Sequence, residues 1–339
     1  MRDASPARAI PRTGYCPGAC LRLQEGTEDG STMTIDEALA RVPQWTGMRP
    51  RSVRPLAGGV TNLNYLVEIG GDTFVLSVAG TGTAVLGVDR ARAYGCTRIA
   101  DDLGIGPEVV CVLPDDGILV TRFISGRGLA AGDAADSGML ARIVRSFHRY
   151  HGGPAFPGTF SPFETLRRHL RTAQESDGAE KTTRLPDDAG ALYERMALIE
   201  KAARRGLAAA RPCHNDLWRY NLIDDGRTIR IIDWEYAGMG DVYFDLANFA
   251  IHNVFEDTDD EALLRAYFGA VSTAGVARLK VLKAVADLRE AMWAVVAQHL
   301  PATGASGFDA SAYAATHFAR CRRALADPRF SGWLGGLAR

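Results

Sequence analysis

The sequence predicts an α+β chain in two lobes, a small antiparallel-sheet lobe with one helix and then a larger, mostly helical lobe. Three observations carry that expectation. From about residue 50 to 124, short apolar runs alternate with clusters of Gly, Asp and Pro, as strands joined by tight turns do. Beyond residue 128 the pattern turns helical, with amphipathic stretches at 139–150, 162–176 and 189–210. Between helical stretches, apolar runs at 221–223 and 228–232 flank Asp224-Asp225-Gly226 and read as a β-hairpin.

In chain order, residues 1–32 carry Pro, Gly, Arg, Ser and Thr with almost no periodic hydrophobicity. They lack the apolar core of a signal peptide and the amphipathic pattern of a transit peptide, and are expected to be a disordered tail or an over-extended start. Met33 then opens the folded part. Thr34 with Glu37 three residues on has the form of a capping box. Strands are expected at 51–56, 64–69 and 73–78, with Gly70-Gly71-Asp72 as the second turn. A helix follows at 88–103, where Val88, Ala91, Gly95, Ile99 and Leu103 share a face and Gly104 supplies the cap. Two more strands, 108–113 and 118–124, flank Pro114-Asp115-Asp116-Gly117 and complete a first lobe at 33–124. The second lobe, 125–339, ends in helices at 245–255, 261–271, 276–300 and 311–325. The acidic run 256–261 reads as a solvated loop leading into the second of these, and no internal repeat is present.

Bulk chemistry excludes several classes of function. With 39 Lys+Arg against 40 Asp+Glu there is no basic field for nucleic acid or an anionic membrane surface. No run approaches the ~18 apolar residues of a spanning helix. The six cysteines are scattered at 16, 20, 96, 111, 213 and 321, which fits a reducing cytoplasm. Cys16 and Cys20 have no second ligand pair nearby, which argues against zinc.

The hairpin carries the chemistry. Cys213-His214-Asn215-Asp216 leads into it and Ile232-Asp233-Trp234-Glu235-Tyr236 leaves it, so that Asp216, Asn221 and Asp233 stand where the apolar runs begin or end. Asp and Asn are common turn formers, which accounts for Asp224-Asp225-Gly226. Three polar residues in this order, bracketing two strands, instead have the layout of a phosphotransfer site: one carboxylate for the acceptor hydroxyl, an amide and a second carboxylate for magnesium.

The order Asp, four residues, Asn, then a later Asp is similar to the catalytic loop and metal aspartate of protein kinases. Here His-Asn-Asp replaces His-Arg-Asp and Asp-Trp-Glu replaces Asp-Phe-Gly. These departures resemble the choline/ethanolamine kinase family, within the aminoglycoside phosphotransferase superfamily, over about 50–325. The resemblance implies a protein-kinase-like fold, ATP and Mg2+, with Asp216 as base or orienter of the acceptor hydroxyl. It implies Asn221 and Asp233 as magnesium ligands, and His214 and Asn215 as braces of the loop. Gly58, Gly59, Thr61 and Asn62 match the loop that covers the nucleotide phosphates. Glu235, Tyr236 and Trp293 are the candidates for the acceptor pocket, since an onium headgroup is recognised by aromatic faces and carboxylates. Glu290 stands where a second helix aromatic is expected and suits an amine with N–H donors.

One part of the pattern is missing. The third strand reads Val75-Leu76-Ser77-Val78, and the following helix Asp89-Arg90-Ala91-Arg92-Ala93, so Ser77 replaces the family's cation and Ala93 its carboxylate partner. Losing one member would strand a charge at ~3–5 kcal/mol. Losing both removes a phosphate contact worth roughly 1.5–3 kcal/mol. Three outcomes stay open: weak ATP binding, substitution by Arg90 or Arg92, or a nucleotide-binding pseudokinase. The intact Asp216, Asn221 and Asp233 favour retained chemistry. The expected function is ATP- and magnesium-dependent phosphorylation of a small amino alcohol, choline or ethanolamine first, with aminoglycoside- or thiamine-type acceptors as the alternative.

Overall fold

A computed structural model describes residues 33–56, 61–175, 185–206, 209–298 and 308–337. The expected tail at 1–32 and the glycines at 58 and 59 lie outside the described residues. The chain begins with α1 (Ile35–Arg41), where Thr34 and Glu37 form the capping box reciprocally; such a cap is worth about 1 kcal/mol. Five strands follow, β1 (Ser52–Leu56), β2 (Asn62–Ile69), β3 (Asp72–Ala79), β4 (Val109–Leu113) and β5 (Ile118–Arg122). They form an antiparallel sheet in the order β1-β2-β3-β5-β4. Gly70 and Gly71, at φ 62° and 90°, make the β2–β3 turn in a backbone region closed to most side chains. Ala38, Trp45, Leu76, Ile118 and Val120 fill the core between α1 and the sheet.

Helix α2 (Arg90–Asp102) interrupts the strands and is capped by Asp89, which accepts from the Arg92 N–H. Its buried Cys96 and Ala100 belong to the larger core, together with Ile105 just beyond it. That loop is pinned to the hairpin: Ile231 N donates to Ile105 O at 2.7 Å, and Arg230 donates to Gly104 O and Gly106 O. The loop after α2 is thus hydrogen-bonded directly to the hairpin.

The rest is mostly helical: α3 (Ser137–His151), α4 (Pro162–Glu175), α5 (Ala189–Ala203), α6 (Val242–His252), α7 (Asp257–Phe268), α8 (Thr273–Ala297), α9 (Ala310–Leu325) and α10 (Phe330–Gly336). The 25-residue α8 is the axis, packed by α4, α6, α9 and α10. Short strands β6 (Arg127–Gly128), β8 (Leu222–Asp224) and β9 (Ile229–Ile231) form one small sheet, and β7 (Arg211–Cys213) with β10 (Gly238–Gly240) another.

Two expectations are corrected. The helix expected at 189–210 stops at Ala203 and passes into a 3-10 turn at Arg204–Gly206, while residues 211–213 form a strand whose Cys213 pairs with Gly238 far along the chain. The acidic run 256–261 is the first turn of α7 rather than a loop. Glu256 and Asp259 cap each other there, and Asp260 is buried between Lys280 and Lys283 at 2.5 and 2.8 Å. Acids suit a helix N-terminus, whose N–H groups lack partners. No helix among the described residues is long and apolar enough to cross a membrane.

Candidate active site

The backbone at His214-Asn215 is shaped by one buried carboxylate. Asp245 of α6 accepts from His214 N at 2.9 Å and Asn215 N at 2.5 Å. Oδ2, the oxygen that takes the His214 N–H, also accepts from Tyr150 Oη at 2.7 Å and His151 Nε2 at 3.0 Å. Burial alone would raise this carboxyl; the hydrogen bond and charge of His151, with His214 and Tyr150, bring it below its ordinary value. Asn215 sits at φ 66°, a left-handed conformation that Asn tolerates, and its Nδ2 donates to Tyr236 O at 3.0 Å. His214 accepts at Nδ1 from Asp216 N (3.2 Å), which leaves the proton on Nε2 to bond Ile232 O (3.0 Å). Burial lowers its pKa, consistent with a neutral brace. One turn beyond Asp245, Asn248 accepts from Leu217 N at 2.6 Å. Helix α6 thus grips the segment on both sides of Asp216.

Asp216, Asn221 and Asp233 are brought to one cleft. Asn221 closes a short 3-10 turn and donates to Asp216 O at 3.0 Å, which leaves its Oδ1 available to a cation. Asp233 follows β9 at φ 67°, a strained position for a non-glycine residue and one common at functional sites. Its side chain is exposed to solvent, yet the protein crowded around the carboxyl raises its pKa, with the charges of Glu235 and Asp216 adding and Arg90 opposing. Asp216 is also raised, by desolvation and by Glu290, against the pull of Arg289. Carboxylates crowded in this way, with an amide oxygen beside them, form the hard oxygen set that suits magnesium, whose charge would reverse the repulsion.

Glu235 is placed differently from expectation. It was expected in the acceptor pocket, but both its oxygens face the sheet lobe: Thr61 Oγ1 donates at 2.7 Å and Asn62 Nδ2 at 2.6 Å. Arg90, the first residue of α2, ion-pairs with the same carboxylate and donates to Asn62 Oδ1 (2.7 Å), Thr61 O (3.1 Å) and Thr83 Oγ1 (2.9 Å). Of the two arginines weighed as replacements for the missing cation, Arg90 stands in the cleft. Arg92 turns away to Thr159 O and Gly87 O. Ser77 on β3 donates across the strand pair to Asn64 Oδ1 at 2.6 Å, and Ala93 is buried.

On the other side of Asp216, Tyr236 and Trp293 do come together, Trp293 Nε1 donating to Tyr236 Oη at 2.9 Å. Phe308 and Tyr313 pack on Trp293 at 5.8 and 6.3 Å between ring centroids. The buried Glu290 accepts from Asn248 Nδ2 and Tyr313 Oη, both at 3.0 Å, and ion-pairs with Arg289. Sequence reasoning assigned no role to Asp245, Asn248, Arg289 or Tyr313. A signal for one of them existed: Arg289-Glu290 is a charged pair in the middle of a long apolar helix, where unpaired charge is costly.

Residues 52–282 match the model of a family described as "Phosphotransferase enzyme family". The chain is 27% identical to protein LicA of Haemophilus influenzae over 192 residues, 56% of this chain and 55% of that protein. It therefore spans about half the length of that relative. Among solved structures, a choline/ethanolamine kinase family protein from Mesorhizobium loti superposes with a TM-score of 0.72 at 29% identity, over 91% of this chain and 99% of that one. The choline kinase LicA from Streptococcus pneumoniae gives 0.70 at 23% identity, over 86% and 97%, a likeness of fold.

Proposed function

The chain belongs to the phosphotransferase enzyme family, and on that premise we propose that it transfers the terminal phosphoryl group of ATP to the hydroxyl of a small amino alcohol of the ethanolamine or choline type. The observation that carries this reading is the meeting of Asp216, Asn221 and Asp233 in one cleft, with both carboxyls raised above their ordinary range. The relatives named for choline and ethanolamine support the acceptor class.

In this reading the lobe at 33–124 covers the nucleotide and the lobe at 125–339 holds the acceptor. Asp216 accepts the hydrogen bond of the acceptor hydroxyl and takes its proton as the oxygen attacks the terminal phosphorus. The bond to the departing ADP oxygen breaks in line with that attack, and no covalent enzyme intermediate is needed. A raised pKa makes Asp216 a better base than a free carboxylate. Asn221 Oδ1 and the Asp233 carboxylate would hold Mg2+, which when bound would neutralise charge on the phosphate oxygens. Arg90 moves from Glu235 to the phosphates, and Thr61 and Asn62 then keep Glu235 in place.

The testing experiment is a coupled assay of MgATP turnover with ethanolamine and choline, run beside Asp216→Ala. The replacement of the cation pair by Ser77 and Ala93 favours a second reading, a nucleotide-binding pseudokinase. Stabilisation by MgATP without turnover of any hydroxyl acceptor distinguishes it.

A further inference from the structure

Arg289 lies where an onium headgroup would have to lie. Its guanidinium carbon stands 4.4 Å from the centroid of the Tyr236 ring. Nη1 pairs with Glu290 and reaches to 3.5 Å from Asp216 Oδ1, and the side chain is only 1% exposed. The Tyr236 ring is fixed in turn by the hydrogen bond from Trp293 to its hydroxyl. A ring face binds a cation through its negative quadrupole, and here the chain's own guanidinium already covers that face.

The remaining donors of Arg289 point the same way. Nε and Nη2, both buried, have no hydrogen-bond partner among the described residues. They form one edge of the guanidinium fork, which is matched by oxygen lone pairs. Both lie beneath the surface, so a quaternary ammonium can reach this ring face only by displacing the guanidinium. Charge favours an amine all the same: Asp216 and Glu290 are two carboxylates against one guanidinium and the His252 imidazole, 3.6 Å from Glu290. An ammonium that retains N–H donors brings both the missing charge and hydrogen bonds for carboxylate lone pairs. A trimethylammonium brings the charge without donors and competes for the occupied ring face.

We propose that Arg289 is a specificity-determining residue that bars a quaternary ammonium from the acceptor subsite and selects amino alcohols whose nitrogen keeps N–H groups. The proposal rests on the phosphotransfer reading above and narrows its substrate class. The test is the methylation series ethanolamine, N-methylethanolamine, N,N-dimethylethanolamine and choline, assayed for kcat/KM with MgATP. The wild type should fall along the series, by about 10-fold or more between its ends. Arg289→Lys should keep the order. Arg289→Met, and Arg289→Met with Glu290→Gln so that Glu290 is not left as an unpaired buried charge, should narrow or reverse it. A wild type that prefers choline overturns the proposal whatever the variants do. So does an unchanged order in either Met variant that melts with a wild-type transition. If MgATP binds and none of the four is phosphorylated, the amino-alcohol reading itself fails and this proposal with it.

Discussion

Asp245 holds Asn215 in its left-handed conformation by accepting the Asn215 backbone N–H at 2.5 Å, with the neighbouring His214 N–H at 2.9 Å. The residue that shapes the loop thus sits on a helix some thirty positions later, fully buried and without contact to any reacting group. Asn215 Nδ2 relays the constraint to Tyr236 O, and His214 relays it to Ile232 O. Loop, hairpin and α6 are thereby hydrogen-bonded into one network.

Asp245→Asn should therefore destabilise the fold, because an amide cannot accept from both backbone N–H groups as a carboxylate does. Hydrogen bonds to a charged group are each worth about 1.5–3 kcal/mol, and at least one is lost. Urea unfolding measures the change. The pH dependence has a definite sign. The folded pKa lies below the ordinary value of 3.8, so the contribution is fully present above that value and is lost as pH falls below it. The deficit of Asp245→Asn relative to wild type should shrink between pH 6 and pH 3.

Asp233 gives the opposite sign. Its folded pKa is raised well above 3.8, so its ionisation weakens the metal-free fold progressively as pH rises through the folded value. Asp233→Asn should melt higher than wild type at pH 8 without divalent cations, the two converging at acid pH. It should also lose stabilisation by Mg2+ with nucleotide. A variant that melts lower than wild type under these conditions would remove the case for a cation site there.

Arg90→Ala should weaken MgATP binding by roughly 10–100-fold, the equivalent of one charge-assisted contact. The acceptor KM should change little. Isothermal titration with a non-hydrolysable nucleotide reads the first and steady-state kinetics the second.

Restoring the absent pair with Ser77→Arg and Ala93→Glu together should tighten nucleotide binding, with favourable coupling in a double-mutant cycle. Each single change should do less, since one leaves an unoriented cation and the other a carboxylate facing the phosphates. If the double variant binds more weakly than wild type, Arg90 already fills the role that Ser77 left open.

Local patterns made much of the fold legible. Thr34 with Glu37, the glycine turn at 70–71 and the strands on either side of it follow from short-range chemistry. The hairpin polar residues were legible because their order is tied to strand ends. What stayed hidden depended on distant partners. Strand β7 forms only because Gly238 lies beside Cys213, and the acids at 256–261 become helical because Lys280 and Lys283 close on Asp260. Glu235 was expected beside the acceptor, but Thr61, Asn62 and Arg90 draw it to the sheet lobe, a choice made by residues far away in sequence. Arg289 was passed over because a helical apolar pattern says nothing of which ring a buried cation will cover.

The most direct measurement is turnover against binding in Asp216→Ala. With ethanolamine and MgATP, phosphorylated product should become undetectable, while nucleotide affinity stays within about 2-fold of wild type. Asp216 ion-pairs with Arg289 at 3.5 Å, whereas Asn221 and Asp233 are the proposed metal ligands. Product formation at the wild-type rate in Asp216→Ala would contradict the account at its centre.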